Sequence, residues 1–245
     1  MSNSQIERNN LVDWFIKGIF FNKNTPSNYN DEKFSMSPTN KEDVLLAVKK
    51  AYIDMTPRTI KGLAAAHKSK DFEKEFNEIL SELADRFVAY FKSNPLQNEK
   101  EFDEWHEDRC KNFITDFNAL LKNHKIEEAS YGKAQKIVNM TFKYIYCFDD
   151  NIDFDYFKYC HMTLDSYTLK WFLEDVRVWL EKDNCKFAKN KIPAWSNLDK
   201  GDNDKELFSY LWIQTQIRKY LNKQDEYSKI PFISEFTIWN KYKND

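Results

Sequence analysis

Three lysines punctuate the stretch YGKAQKIVNMTFKYIYCFDDN, Tyr131 to Asn151: Lys133, Lys136 and Lys143. Their offsets of three and seven put them, with Asn139, on one face of a helix. A lysine on such a face has two uses. In water it belongs to a solvated basic stripe; in a cleft, desolvation frees a nucleophilic amine. A carboxylate follows in CHMTLDSYTLKW, Cys160 to Trp171, where Asp165 opens a second apolar helical run. Its simplest role is a helix N-cap, worth about 1 kcal/mol. Its other role is to stand against one of the amines. His161 is a lone histidine beside an apolar segment, a residue that packs unless a reacting group faces it.

Other chemistries find no footing. His67, His106 and His124 are scattered and share no metal-ligand spacing, so neither a metal nor another cofactor is expected. There is no GxSxG elbow, phosphate loop, GxGxxG or HExxH. Cys110, Cys147, Cys160 and Cys185 form no CxxC pair, which argues for reduced thiols rather than zinc or a disulfide framework.

The elements that must position these residues are helical. Only 4 Gly and 6 Pro occur in 245 residues, while 16% are aromatic, which argues against many short strands and tight hairpins. The net charge of -2 gives no global pull toward nucleic acid; such binding needs a local basic patch. The opening MSNSQIERNNLVDWF lacks a leader pattern, and no apolar run reaches about 18 residues, so a cytoplasmic chain without membrane contact is expected.

Periodicity predicts a first helix over Gln5–Phe21 and a second opened by a Thr39–Glu42 capping box and closed before Pro57. A short helix over Thr59–Ala66 follows, then long amphipathic helices over Phe72–Phe91 and Phe102–Leu121. The lysine helix starts at Lys136, after Gly132. An acidic aromatic loop, Phe148–Tyr159, separates it from helices over Leu169–Leu180 and Glu206–Leu221. The tail IPFISEFTIWNKY is apolar enough to dock.

Taken together, SYGKAQKIVNMTFKYIYC and HMTLDSYTLKWF resemble the signature of helix-hairpin-helix DNA glycosylases, most closely the archaeal 8-oxoguanine type. In that type Gln-Lys opens an apolar helix, and an aspartate after a short apolar turn opens the next. Gln135-Lys136 matches the dipeptide and TLDSY the aspartate segment, 29 positions on (165 − 136), over a resemblance spanning Ser130–Phe172. The hairpin of this superfamily usually carries two glycines; here Gly132 stands alone with Lys133 beside it.

The resemblance implies an all-α, two-lobed protein. One lobe is a helical barrel over 39–148, ending in the hairpin and the Lys136 helix; the other joins 1–38 to 149–245. It implies base excision from DNA, with Lys136 as the amine that attacks the sugar, Asp165 as its assisting carboxylate, and a Schiff base that can also support strand cleavage. Gly132, Lys133 and Lys143 would meet nucleic acid, and Tyr131, His161 and Trp195 would line a base pocket. Tyr131 and Trp195 serve equally well as plugs at a lobe interface. The rival reading is a catalytically silent helical binder of a protein or nucleic-acid partner, as in phage–host conflict, which the acidic loop and near-neutral charge suit. A third is an unrelated helical adaptor, which would put Lys136 and Asp165 on opposite faces.

Overall fold

The computed structural model describes Val12 and residues 35–149, 151–182, 192–201 and 206–244. The expected first helix, Gln5–Phe21, lies outside these residues apart from Val12, which is helical and buried. The described residues form an all-helical protein with no strand among them.

Helix α1, Lys41–Asp54, is capped by Asn40, whose side chain accepts the amides of Glu42 (2.8 Å) and Asp43 (3.2 Å). The expected Thr39 box is not used; Thr39 bonds Ser37 instead, because the Asn40 carbonyl already satisfies the orphan amides of the first turn. The helix expected over Thr59–Ala66 divides into a 3-10 turn, Pro57–Thr59, and a single helical turn α2, Leu63–Ala66. Gly62, at φ 92°, separates the two, a left-handed conformation that glycine adopts without steric cost.

Two long amphipathic helices follow, α3 (Lys70–Lys92), capped by Ser69, and α4 (Glu99–Asn123), capped by Asn98. The segment holding Pro95 breaks between them. Both bury the aromatic stripe seen in the sequence, including Phe72, Phe76, Phe87, Phe102, Phe113 and Phe117. Helix α5, Tyr131–Phe148, packs against α1 and α4, and all 18 of its residues are buried. Phe142 on α5 meets Phe87 and Trp105 at ring separations of 4.9 and 5.5 Å, tying α3 and α4 to the central helix. Gly132 is the second residue of α5, which therefore starts five residues before the expected Lys136.

Beyond the loop, α6 (Ser166–Trp171) runs through a π turn, Phe172–Val176, into α7, Arg177–Lys182. Helix α8 covers Tyr210–Asn222, and the tail docks as α9, Pro231–Asn244, which packs along α6. A helix buried on every side must satisfy each polar group it carries. Besides the hydroxyls of Tyr131, Tyr144 and Tyr146, those of α5 are Lys133, Gln135, Lys136, Asn139, Thr141 and Lys143, and they define what the fold has to accommodate.

Candidate active site

Helix α5 brings no acid to its own first turn, although Lys133 and Lys136 stand at its positive end. Their compensation comes from elsewhere in the chain. The Lys136 ammonium Nζ lies 3.7 Å from Asp165 Oδ2, with the two side chains only 11% and 9% exposed. The pair is thus assembled from consecutive long helical runs, and it is covered rather than set in an open cleft.

Asp165 is the N-cap of α6, as its position suggested. Its Oδ1 accepts the amides of Tyr167 (3.0 Å) and Thr168 (3.1 Å). Thr168 Oγ1 accepts the Asp165 amide at 2.8 Å and donates to Thr163 O at 2.8 Å, closing the capping box. Oδ2 accepts the indole N–H of Trp239, from α9, at 2.9 Å. Both carboxylate oxygens are therefore engaged before Lys136 is counted. At 3.7 Å the lysine is near enough for charge attraction but outside hydrogen-bond reach, and its Nζ has no hydrogen-bond partner among the described residues.

The amine is covered by Trp195. Its Nζ sits 4.5 Å from the centre of the Trp195 ring, and that of Lys133 sits 5.5 Å from it. Trp195 belongs to a 3-10 turn, Trp195–Asn197, seated on the first turn of α5. Gly132 N–H donates to Leu198 O at 2.9 Å, and a Cβ at position 132 would overlap the Trp195 carbonyl oxygen. Glycine is required here by close approach, and its amide is occupied by the chain itself, not left outward for a phosphate.

The other two lysines are structurally committed. Lys133 donates to Thr59 Oγ1 (2.7 Å) and Met55 O (3.4 Å), and burial beside Lys136 lowers its pKa below the usual lysine range. Lys143, expected among the nucleic-acid contacts, is a buried cation paired with Glu235 of α9, because the face it occupies is turned to the interior. Burial raises the Glu235 carboxyl, opposed by Lys143. The solvated basic stripe is absent: a helix wrapped on all sides has no solvent face.

Tyr131 and His161 do not border the amine. Tyr131 is buried against Tyr210, ring centres 5.5 Å apart. His161 is fully buried in a second cluster, where its Nε2 meets Asp103 at 2.7 Å and its Nδ1 meets Tyr210 at 2.9 Å. Arg218 grips the same Asp103 with two bonds of 2.8 and 2.6 Å. Burial alone would raise the Asp103 carboxyl, but the hydrogen bonds and charges of His161 and Arg218 hold it well below the usual range. Trp195 alone of the three aromatics meets the lysine.

Sequence reasoning missed two groups. Trp239 reaches Asp165 from 74 positions away, and only the apolar character of the tail hinted that this segment docks. Asp54, at the end of α1, accepts the Tyr144 hydroxyl. Burial raises its carboxyl, while Tyr144 and the charges of Lys50, Lys136 and Lys143 pull it down. Nothing in its local sequence marked it.

Among the described residues no cluster of His, Cys, Asp and Glu is placed to hold a metal, and no helix is long and apolar enough to cross a membrane. Neither a protein-family model nor a curated protein nor a solved structure matches the chain.

Proposed function

We propose that the protein is a DNA glycosylase that excises a modified or damaged base through the Lys136 amine, assisted by Asp165. One observation carries this reading: Lys136 Nζ stands 3.7 Å from Asp165 Oδ2, beneath an indole, with no hydrogen bond of its own among the described residues. Lys133 and Lys143 on the same helix are both bonded in place. A nucleophile has to be near its assisting group yet not consumed by it.

In this mechanism the Lys136 ammonium gives up a proton, and the resulting amine attacks C1′ of an extruded nucleotide as the glycosidic bond breaks. The bonding pair leaves with the base, which takes up a proton. Asp165 stabilises the cationic sugar and receives the proton that the lysine loses. The C1′–O4′ bond then opens as the nitrogen lone pair forms the C=N bond, O4′ keeping the bonding pair and taking a proton from the nitrogen; the resulting protonated imine also permits strand cleavage. Flipping a nucleotide costs a few kcal/mol, and an aromatic face next to the amine offsets part of it. Trp195 is the aromatic in that position, and its turn has to give way for a base to enter. The two-lobed helix-hairpin-helix arrangement belongs to the same reading, with the α4–α5 connection as the hairpin.

The burial of the pair favours a second reading, a silent helical binder in which Lys136 and Asp165 are a structural ion pair. Borohydride trapping against a panel of oligonucleotides carrying damaged bases and abasic sites separates the two. The glycosylase reading expects a covalent adduct that Lys136→Ala abolishes. No adduct with any member of the panel would leave the binder.

A further inference from the structure

One side chain joins the residue that precedes Lys136 to the residue that precedes Asp165. Gln135 precedes Lys136 on α5 and is fully buried. Its amide forms a two-bond bridge to Leu164, which precedes Asp165: Oε1 accepts Leu164 N–H at 3.2 Å and Nε2 donates to Leu164 O at 2.9 Å. The side chain thus mimics the partner that a neighbouring backbone would supply.

Its remaining capacity is also taken. Nε2 donates to Gly132 O at 2.9 Å, and Oε1 accepts Asn139 Nδ2 at 3.0 Å. Two donors and two acceptor sites are the whole inventory of an amide, and all four are matched. A flipped amide would set donor against donor at Leu164 and at Asn139, so only one orientation fits. Asn139 is itself held, donating to the Tyr210 hydroxyl at 3.0 Å and facing His106 Nε2 at 2.9 Å.

The segment entering Asp165 has other supports: Thr168 and Trp239 act at Asp165 itself, and two more side chains act upstream. Gln214 binds Met162 O at 2.7 Å, and Glu235 accepts the Thr163 amide at 2.7 Å. At Leu164 the contact comes from the lysine helix itself. The bridge thus couples the backbone before Asp165 directly to α5, beside its ties to α8 and α9.

We infer that Gln135 is a positioning residue that registers the Asp165 carboxylate against the Lys136 amine; its catalytic consequence rests on the glycosylase reading. The test compares Gln135→Met, which keeps length and loses every bond, with Asp165→Asn and the double variant. In single-turnover excision Gln135→Met is expected to lose about 10²-fold, the cost of a misplacement on the order of 1 Å. If Gln135 acts through Asp165, the double variant loses no more than Asp165→Asn alone. Multiplying losses, or no loss in Gln135→Met, would overturn the inference.

Amide exchange supplies a readout that needs no activity. Gln135→Met should lose about tenfold protection at Leu164, Tyr167 and Thr168, while amides of α3, which Gln135 does not touch, stay as they were. If the wild type excises nothing, the glycosylase reading falls and exchange alone decides the role of Gln135. Unchanged protection at Leu164 would then overturn it. Should Gln135→Met fail to fold, Gln135→Glu, which keeps the shape and loses both donors, takes its place in both measurements.

Discussion

Gly132 lies directly beneath the Trp195 carbonyl, with its own amide donated to Leu198 O at 2.9 Å. The indole that covers Lys136 is thereby seated on the one residue of α5 without a side chain. Gly132→Ala should displace the Trp195 turn and cost about 1–3 kcal/mol, the range for overpacking a close contact. Urea denaturation measures the cost. An unchanged midpoint would show that the turn is not seated there.

Asp165 serves α6 and Lys136 together, and variants separate the two duties. Asp165→Ala removes the cap and strands a buried ammonium, at about 3–5 kcal/mol. Lys136→Met should be far milder, because the carboxylate it leaves behind keeps Tyr167, Thr168 and Trp239 as donors. Equal losses in the two variants would contradict this asymmetry.

Acid should destabilise the fold through its buried histidines. His106 and His161 stand ring to ring at 4.5 Å, joined through Tyr210 and Asn139, with Asp103 and Arg218 beyond. Burial pushes His106 well below the usual histidine range, and His161 adds to the shift; burial lowers His161 too, against the pull of Asp103. With folded values depressed, the unfolded chain protonates first. Their contribution is full above about pH 6.5 and declines as pH falls below it, by up to about 1.4 kcal/mol per pH unit per proton. Denaturation midpoints between about pH 7.5 and 5 should show this slope, reduced in His106→Gln. A flat wild-type profile would exclude it.

Trp195→Ala distinguishes a pocket wall from a plug. If the ring holds an extruded base, single-turnover excision should fall by about 10-fold or more, the equivalent of 1–3 kcal/mol of stacking, with a small change in thermal midpoint. Parallel losses in both would mark the ring as structural.

The helical class and most helix positions were legible in the sequence because they depend on local information. Apolar periodicity marked α3 and α4, Asp165 stood where an N-cap belongs, and the scarcity of glycine and proline left little room for strands. Lys136 and Asp165 were marked as a pair only by the resemblance of the two segments to the glycosylase signature. The tertiary structure decided what no local pattern encodes: that all of α5 is interior, so that Lys133 and Lys143 are bonded to other parts of the chain and Lys136 is covered. It also decided that Lys143 is bound to Glu235, 92 positions away, and that Trp239 completes the Asp165 shell. Spacing along a helix shows which side chains share a face. Whether that face meets solvent or another helix depends on what packs against it from distant parts of the chain.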